Sequence, residues 1–228
     1  MSMSNSMPAV SQVHSPFRQL ARLRLLKRGR VGLFGGSFNP AHAGHAHVAD
    51  TAMAALRLSH LFWLITPQNP FKSAASLASP EVRVQSAQTQ MLKCKGRHRM
   101  HISRIEEAMA MHKGKGKHIA MHRSIDTIRL ISRGCPGLRL YWVMGADNMA
   151  DFHLWGDIRH LTRRVAVIII NRPGFASQAL TSPMASRLIR TPPRRLSHTH
   201  ARHHWCFIHG RLSPHSATRI RQRERNAA

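Results

Sequence analysis

Short apolar runs alternate with amphipathic stretches along most of the chain. The apolar runs have the length and composition of buried strands, and they lie at residues 31–34, 61–66, 100–103, 138–144, 165–170 and 205–208. The stretches between them have helical spacing at 46–58, 80–92 and 124–134, with a less regular helical stretch at 176–190. This alternation predicts an α/β domain, with a mostly parallel, doubly wound sheet and helices on both faces. The longest apolar run, 165–170, is too short to span a membrane.

Residues 1–29 differ from the rest because they contain Ser, Arg and Met but no Asp or Glu. Such an acid-free start resembles a transit peptide in composition, whereas the apolar core of a secretory signal is missing. We expect residues 1–29 to form a poorly ordered basic extension, with at most a helical turn near residues 17–26. We expect residues 30–228 to form the folded domain.

Residues 31–45 carry the densest pattern in the chain. A short strand runs into Gly35 and Gly36, which can bend the chain and bring its backbone close to a ligand. Asn39-Pro40 delays the next helix, because the residue before a proline disfavours helical backbone angles. His42 and His45 then stand three residues apart at the predicted helix start, where one phosphate could contact both imidazoles and the helix N-terminus.

Further polar residues follow the other predicted strands. Open α/β sheets bind ligands at the carboxyl ends of their strands. Lys72 follows the strand at 61–66, and Asp147 follows the strand at 138–144. Near the chain end, Ser216, Thr218 and Arg221 combine hydroxyls with an arginine, a second candidate anion site.

The charge of the chain is extreme. It carries 35 Lys and Arg against 9 Asp and Glu, a formal net charge of +26. This charge favours non-specific binding to polyanions, but no nucleic-acid-binding signature accompanies it and aromatics do not alternate with the basic runs. Because carboxylates are so rare, those that remain between residues 106 and 157 are candidates for a specific role. The 3 cysteines form no Cys-x-x-Cys pattern, which favours reduced thiols in a cytoplasmic protein.

The string Gly35-Gly36-Ser37-Phe38-Asn39-Pro40, followed by His42-x-Gly44-His45, resembles the signature of the nicotinate-nucleotide adenylyltransferases. These enzymes belong to the Rossmann-like nucleotidyltransferases that carry a His-x-Gly-His motif. Other blocks resemble the family in the same order: Asn69-Pro70-x-Lys72, Ile102-Ser103-x-x-Glu106, Ser124-x-Asp126-Thr127, Gly145-x-Asp147, Phe152-His153-x-Trp155 and Ser216-x-Thr218-x-Ile220-Arg221. Arg123 and Ser124 stand where the family has tyrosine and threonine, and the lost aromatic weakens the expected contact with a pyridine ring.

The resemblance implies transfer of AMP from ATP to nicotinate mononucleotide, giving deamido-NAD and pyrophosphate in NAD biosynthesis. It implies that His42 and His45 are catalytic and donate hydrogen bonds to phosphate oxygens. The residues implied to bind ATP are Gly35, Gly36, Ser37, Phe38, Lys72, Gly145, Asp147, Ser216, Thr218 and Arg221. Those implied to bind nicotinate mononucleotide are Asn39, Ser124 and Trp155. Mg²⁺ is expected on the ATP phosphates with mostly water ligands, without a protein metal site.

Two alternatives stay open at this point. One is another adenylyl or cytidylyl transferase of the same fold, such as phosphopantetheine adenylyltransferase, although that enzyme usually has Thr-x-Gly-His. The other is a basic nucleic-acid-binding protein on a degenerate scaffold, which would bind RNA or DNA and release no pyrophosphate.

Overall fold

A single parallel sheet organises the molecule. The computed structural model describes residues 16–67, 77–113, 124–196 and 202–210. Within them the strands are β1 (Gly29–Gly36), β2 (His60–Ile65), β3 (Met100–Ser103), β4 (Leu138–Gly145), β5 (Ala166–Ile170), β6 (Ile189–Arg190) and β7 (His204–Ile208). Their order is β3-β2-β1-β4-β5-β7-β6, and every neighbouring pair is parallel. The predicted Rossmann-like α/β fold is confirmed.

Strand side chains alternate between two cores, as the two-residue period of a strand requires. In β4, Trp142 packs into one core while Tyr141 and Val143 pack into the other. In β5, Ile169 faces the first core and Ile168 the second. All these side chains are at most 2% exposed, so both faces of the sheet are covered.

Helices supply the outer layers. They are α1 (Pro16–Leu25), α2 (Ala43–Ala55), α3 (Pro80–Met91), α4 (Ile105–Lys113), α5 (Ser124–Gly134), α6 (Ile158–Thr162), α7 (Ala176–Leu180), α8 (Pro183–Arg187) and α9 (Pro193–Leu196). Helices α2, α3 and α9 contribute to the core that contains Tyr141, and the other six contribute to the core that contains Trp142. None of the helices in the described ranges is both long enough and apolar enough to cross a bilayer.

Helix α1 lies within residues 1–29, which we expected to form an extension of the domain. Leu20 and Leu23 are at most 1% exposed and belong to the same core as Trp142. Leu20 and Leu23 therefore pack as part of the domain, and we propose that the domain begins before residue 30. The basic residues around these leucines concealed the apolar face of a short helix, which is stabilised by tertiary packing rather than by its composition. Residues 1–15 lie outside the described part of the chain.

Two further segments differ from the expectation. Helix α4 was not predicted, although Ile105, Ala108 and Met109 have helical apolar spacing and are buried. The irregular helical stretch at 176–190 resolves into α7, α8 and the edge strand β6. Neither difference changes the sheet.

The strand order places a ligand crevice at one point. After β1, the chain adds β2 and then β3 on one side of β1. It then crosses to the other side, where β4 pairs with β1 and β5 pairs with β4. Such a reversal separates the loops that follow the two strands and opens a crevice at their carboxyl ends. Gly36 ends β1 and Gly145 ends β4, so residues 37–45 and 146–155 flank this crevice.

Candidate active site

The two glycines that end β1 lie within the strand rather than in a bend. Gly35 is paired with Leu64 and Gly36 with Ile65, in parallel register. The bend that we expected there comes later, at Phe38, whose φ is 46°. The requirement for glycine is instead one of packing. A Cβ on Gly35 would lie 2.7 Å from the Trp142 ring, and one on Gly36 would lie 3.0 Å from the Phe38 ring.

We expect Gly35→Ala to destabilise the protein by about 1–3 kcal/mol, because the added methyl group overpacks a buried tryptophan. Trp142 is 1% exposed, so its ring has little room to move. Chemical denaturation measures the change. Gly96→Ala is the control, since a Cβ there would meet only methionine side-chain atoms at 3.4 Å or more. Equal stabilities of the two variants would contradict this packing role.

Residues 37–39 are held mainly by their own contacts with the protein. The Phe38 ring is 1% exposed and packs against Trp63 and Phe34, with centroid distances of 5.2 and 5.3 Å. The Phe38 side chain is thus taken up by core packing, and the predicted contact of Phe38 with ATP falls to its backbone. The Asn39 Oδ1 accepts a hydrogen bond from the Ala78 backbone at 3.0 Å. Asn39 thus ties the loop after β1 to the start of α3.

His42 and His45 hold each other at the start of α2. His42 is the N-cap residue, and its Nδ1 accepts the Gly44 N–H at 3.1 Å. In return, the His42 N–H donates to Nδ1 of His45, also at 3.1 Å. The two ring centroids lie 3.9 Å apart, and the His45 ring also packs on Phe38 at 5.0 Å. The structure therefore brings the two predicted catalytic side chains together in a reciprocal cap.

This cap selects one tautomer for both rings. A ring nitrogen that accepts a hydrogen bond carries no proton, so each neutral imidazole has its proton on Nε2. Both rings therefore offer an Nε2–H donor. The Gly44 N–H, at the helix N-terminus, donates to His42 and is not directed at a ligand. The imidazole Nε2–H groups are therefore the candidate anion donors at this helix start.

Arg83 of α3 fixes the loops that border the crevice. Its side chain is 1% exposed and donates to the carbonyl oxygens of Ser37, Thr66, Pro67 and Ala78, at 3.0, 2.6, 3.2 and 3.1 Å. Burial lowers the pKa of Arg83, but the pKa of an arginine is high enough that the side chain stays charged. One buried cation thus binds the loop after β1 to the loop after β2.

Asp147 and Arg172 form an ion pair at the carboxyl ends of β4 and β5. Arg172 Nη1 lies 2.6 Å from Asp147 Oδ2. Gly145 makes this pair possible, since a Cβ there would lie 2.4 Å from Asp147 Oδ1 and 2.8 Å from Arg172 Cδ. The predicted nucleotide-binding carboxylate is therefore held in place by a cation beside the crevice.

A buried carboxyl group lies near the end of β2. Glu106 is 1% exposed, and neither of its oxygens has a hydrogen-bond partner of normal geometry among the described residues. Burial raises the pKa of Glu106 to about 7, against the opposing effect of the nearby Thr66 and Ser124 hydroxyls. Ser124, which we expected at the nicotinate, therefore lies beside a carboxyl group that is partly protonated at neutral pH.

The raised pKa of Glu106 makes stability depend on pH. The unfolded carboxyl ionises near its ordinary pKa of 4.5, while the folded one keeps its proton until about 7. The folded state therefore binds more protons over this range, and stability falls as pH rises from about 4.5 to 7. Glu106→Gln has no carboxyl group to lose stability in this way. The free energy of unfolding of this variant, relative to wild type, should therefore be about 2 kcal/mol higher at pH 8 than at pH 5.

Urea denaturation of the wild type and Glu106→Gln at both pH values tests this expectation. Gly96→Ala, which removes no titratable group, is the control and should show no such change with pH. A gain for Glu106→Gln that is the same at both pH values would show that the buried carboxyl is already ionised at pH 5.

Trp155 packs on the core that contains Trp142 and stays partly exposed. It meets Trp142 and Phe152 edge to face, with centroid distances of 6.0 and 5.2 Å. Trp142 in turn lies beside Gly35. Packing thus links Trp155 to the end of β1, and its role at the nicotinate stays a prediction.

The chain matches the cytidylyltransferase-like family over residues 33–223. The probable nicotinate-nucleotide adenylyltransferase of Caulobacter sp. (strain K31) is 37% identical, over 86% of this chain and 98% of the relative. The protein of the same name from Brucella suis biovar 1 (strain 1330) is 38% identical, over 84% of this chain and 94% of the relative. The chain belongs to the nicotinate-nucleotide adenylyltransferase family.

Solved structures of this family have the same fold. Plasmodium falciparum nicotinic acid mononucleotide adenylyltransferase complexed with NaAD aligns with a TM-score of 0.60 and 17% identity, covering 85% of this chain and 82% of that one. The same enzyme complexed with APC also aligns with a TM-score of 0.60, at 18% identity. At these identities the likeness shows the fold alone.

Four of the site residues expected from the sequence lie outside the described residues. They are Lys72, Ser216, Thr218 and Arg221. The described chain ends at Gly210, where a Cβ would lie 3.1 Å from Nε2 of His47 on α2. The last described residue therefore lies next to α2, the helix that His42 caps.

Three residues at the crevice were missed as site residues by sequence reasoning. Arg172 follows the apolar strand β5, so the carboxyl-end rule could have identified it. Glu106 had a signal, because acidic residues are rare and it lies in a family motif. Arg83 had none, since an arginine within an amphipathic helix is ordinarily exposed.

Proposed function

We propose that this chain transfers AMP from ATP to nicotinate mononucleotide, producing deamido-NAD and pyrophosphate in NAD biosynthesis. Relatives at 37–38% identity over most of the chain bear the name of that activity. The observation that carries the proposal in this molecule is the reciprocal cap between His42 and His45, which holds two Nε2–H donors at a crevice suited to nucleotides.

The chemistry needs positioning and charge stabilisation rather than a protein nucleophile. The attacking phosphate of nicotinate mononucleotide and the leaving pyrophosphate are both anions already. An enzyme must therefore align two polyanions and stabilise the charge that grows on the transferred phosphorus group. Fixed hydrogen-bond donors do this without reorganising during the reaction.

We assign the contact with the α-phosphate to Nε2–H of His45. His42 is 3% exposed, so its first role is to position His45 through its backbone N–H and the contact between the rings. Its own Nε2–H remains a candidate second donor. Each such donor is typically worth about 3–4 kcal/mol in the transition state.

The remaining ATP contacts are proposed from the crevice and the C-terminal motif. The backbone around Gly35, Gly36 and Ser37 borders the crevice, and Arg83 fixes its shape by holding the Ser37 carbonyl. Asp147, held by Arg172, is suited to accept hydrogen bonds from ribose hydroxyls. Four further phosphate contacts are proposed from the family motifs alone. They are Lys72, Ser216, Thr218 and Arg221.

We propose Ser124 and Trp155 as the contacts with nicotinate mononucleotide. Ser124 begins α5, where the helix dipole and a hydroxyl favour a carboxylate. Asn39 stays a candidate, although its Oδ1 already binds Ala78. The protonated form of Glu106 beside Ser124 would avoid repelling the nicotinate carboxylate.

We place Mg²⁺ on the ATP phosphates with mostly water ligands, where it would neutralise phosphate charge. No group of three or more His, Cys, Asp or Glu side chains converges within the described ranges. Cys94, Cys135 and Cys206 are free and buried, which is compatible with the reducing cytoplasm where we place this reaction.

A coupled pyrophosphate assay tests the proposal. ATP and Mg²⁺ are supplied with nicotinate mononucleotide, nicotinamide mononucleotide or phosphopantetheine. We expect pyrophosphate release to depend on a pyridine mononucleotide and to be faster with the nicotinate form. Release with phosphopantetheine alone would identify a different transferase. No release with any acceptor, together with salt-sensitive oligonucleotide binding, would favour a nucleic-acid-binding protein.

A further inference from the structure

A second basic cavity lies at the opposite edge of the sheet. It has a volume of about 210 Å³ and is lined by residues at the amino-terminal ends of β4 and β5, by the end of α5, and by the residues that follow α6. The arginines that line it are Arg139, Arg163, Arg164 and Arg202. This edge of the sheet lies roughly 15–20 Å from Gly145, measured along β4 at about 3.3 Å per residue.

The charges around this cavity have one sign. No aspartate or glutamate lines it, and no ion pair among the described residues involves Arg163 or Arg202. Arg164 lines the cavity and donates to the His160 carbonyl at 3.3 Å. Four like charges that share one concave surface raise the local potential, and a bound anion would relieve their repulsion.

The shape and chemistry of the cavity limit the ligand. Guanidinium groups match phosphate oxygens with paired N–H donors, and the lining Ser132 can add a hydroxyl. A volume of about 210 Å³ lies below the range of about 300–1,000 Å³ that is typical of sites for drug-sized ligands. A small phosphoanion fits such a space better than a whole dinucleotide or an extended nucleic acid.

We propose that this arginine cavity is a second anion site, which binds one small phosphoanion of the pyrophosphate type. It is separate from the crevice at His42 and His45, because the two lie at opposite ends of the same strands. The inference does not depend on the proposed function, since it rests only on the four arginines and the concave surface that they line. Pyrophosphate is the natural probe, because it has the charge and size of the inferred ligand.

Isothermal titration of the full chain with pyrophosphate, without ATP, tests the site. We expect Arg163→Ala/Arg202→Ala to lose one bound pyrophosphate per chain, or to bind it at least tenfold more weakly, while His45→Ala keeps that binding. The control is Arg97→Ala/Arg187→Ala, which removes the same charge from two exposed positions outside the cavity. The control should bind pyrophosphate like wild type, and both double variants should keep the wild-type initial rate of adenylyl transfer.

Several results would overturn the proposal. Equal losses in the two double variants would mean that the binding reflects the overall charge of the chain. Pyrophosphate binding that disappears in His45→Ala would place it in the crevice. Binding of a single-stranded oligonucleotide at this cavity without binding of pyrophosphate would assign it to nucleic acid. By contrast, if the wild type fails the adenylyl-transfer assay while Arg163→Ala/Arg202→Ala still loses pyrophosphate binding, the proposed function is contradicted and this site stands.

Discussion

His45→Ala should lower turnover by about 100- to 1,000-fold or more, while the protein stays folded. The substitution removes an Nε2–H donor from the proposed contact with the α-phosphate, a loss of the size seen when one oxyanion donor is deleted. It also removes the acceptor of the His42 N–H, which should cost only about 1 kcal/mol of stability. Steady-state pyrophosphate release and thermal denaturation measure the two effects separately.

Ser59→Ala is the matched control for His45→Ala. Ser59 accepts the Arg30 N–H at 2.8 Å and donates to the Arg30 carbonyl at 3.0 Å, at the amino-terminal edge of the sheet. Its loss should cost a similar amount of stability, because two hydrogen bonds of ordinary strength are broken. Its turnover should match wild type. If His45→Ala turns over ATP and nicotinate mononucleotide at the wild-type rate, the assigned chemistry is wrong.

Arg83→Met should have the largest effect on stability, a loss of at least about 3–5 kcal/mol. Methionine has a similar length but leaves the carbonyl oxygens of Ser37, Thr66, Pro67 and Ala78 without their buried donor. These acceptors belong to the backbone, so no substitution at position 83 by an apolar residue can compensate them. A loss of this size is a large part of the stability of an ordinary domain, and the variant should unfold at a much lower urea concentration.

Arg83→Lys keeps the positive charge and tests the geometry. An ammonium group offers three donors at one point, whereas the guanidinium reaches four carbonyls on two loops. We expect an intermediate stability and a clear loss of turnover, because the loop after β1 shifts relative to the crevice. Arg97→Met, at an exposed arginine, should change stability by no more than about 0.5 kcal/mol. An Arg83→Lys variant with wild-type turnover would show that these loops do not need the geometry of a guanidinium group.

The sequence predicted the centre of the sheet well because residues 140–144 and 166–170 are uninterrupted apolar runs. Residues 138–144 and 165–170 were recognised as strands, and the structure has β4 and β5 at these positions with a boundary shift of one residue. The proximity of His42 and His45 also followed from spacing alone. Local pattern is sufficient for such features, since the hydrophobic period directly encodes which face is buried.

Other features depend on contacts between residues that are distant in sequence. Glycine is required at position 35 because Trp142, 107 positions later, packs against it. The Arg83 side chain donates hydrogen bonds to carbonyl oxygens up to 46 residues away. The tautomer of the two histidines depends on backbone angles at the N-cap, which the motif does not specify. Helix α1 was expected only as a helical turn, because two leucines among basic residues give a weak signal until the core that receives them is known.

A structure of the chain bound to a non-hydrolysable ATP analogue tests the central claim most directly. We predict Nε2 of His45 at about 2.7–3.0 Å from an oxygen of the α-phosphate, with Nδ1 still accepting the His42 N–H. We also predict Arg221 on the triphosphate. Phosphates bound away from α2, or a His45 ring turned so that Nδ1 faces the ligand, would contradict the account.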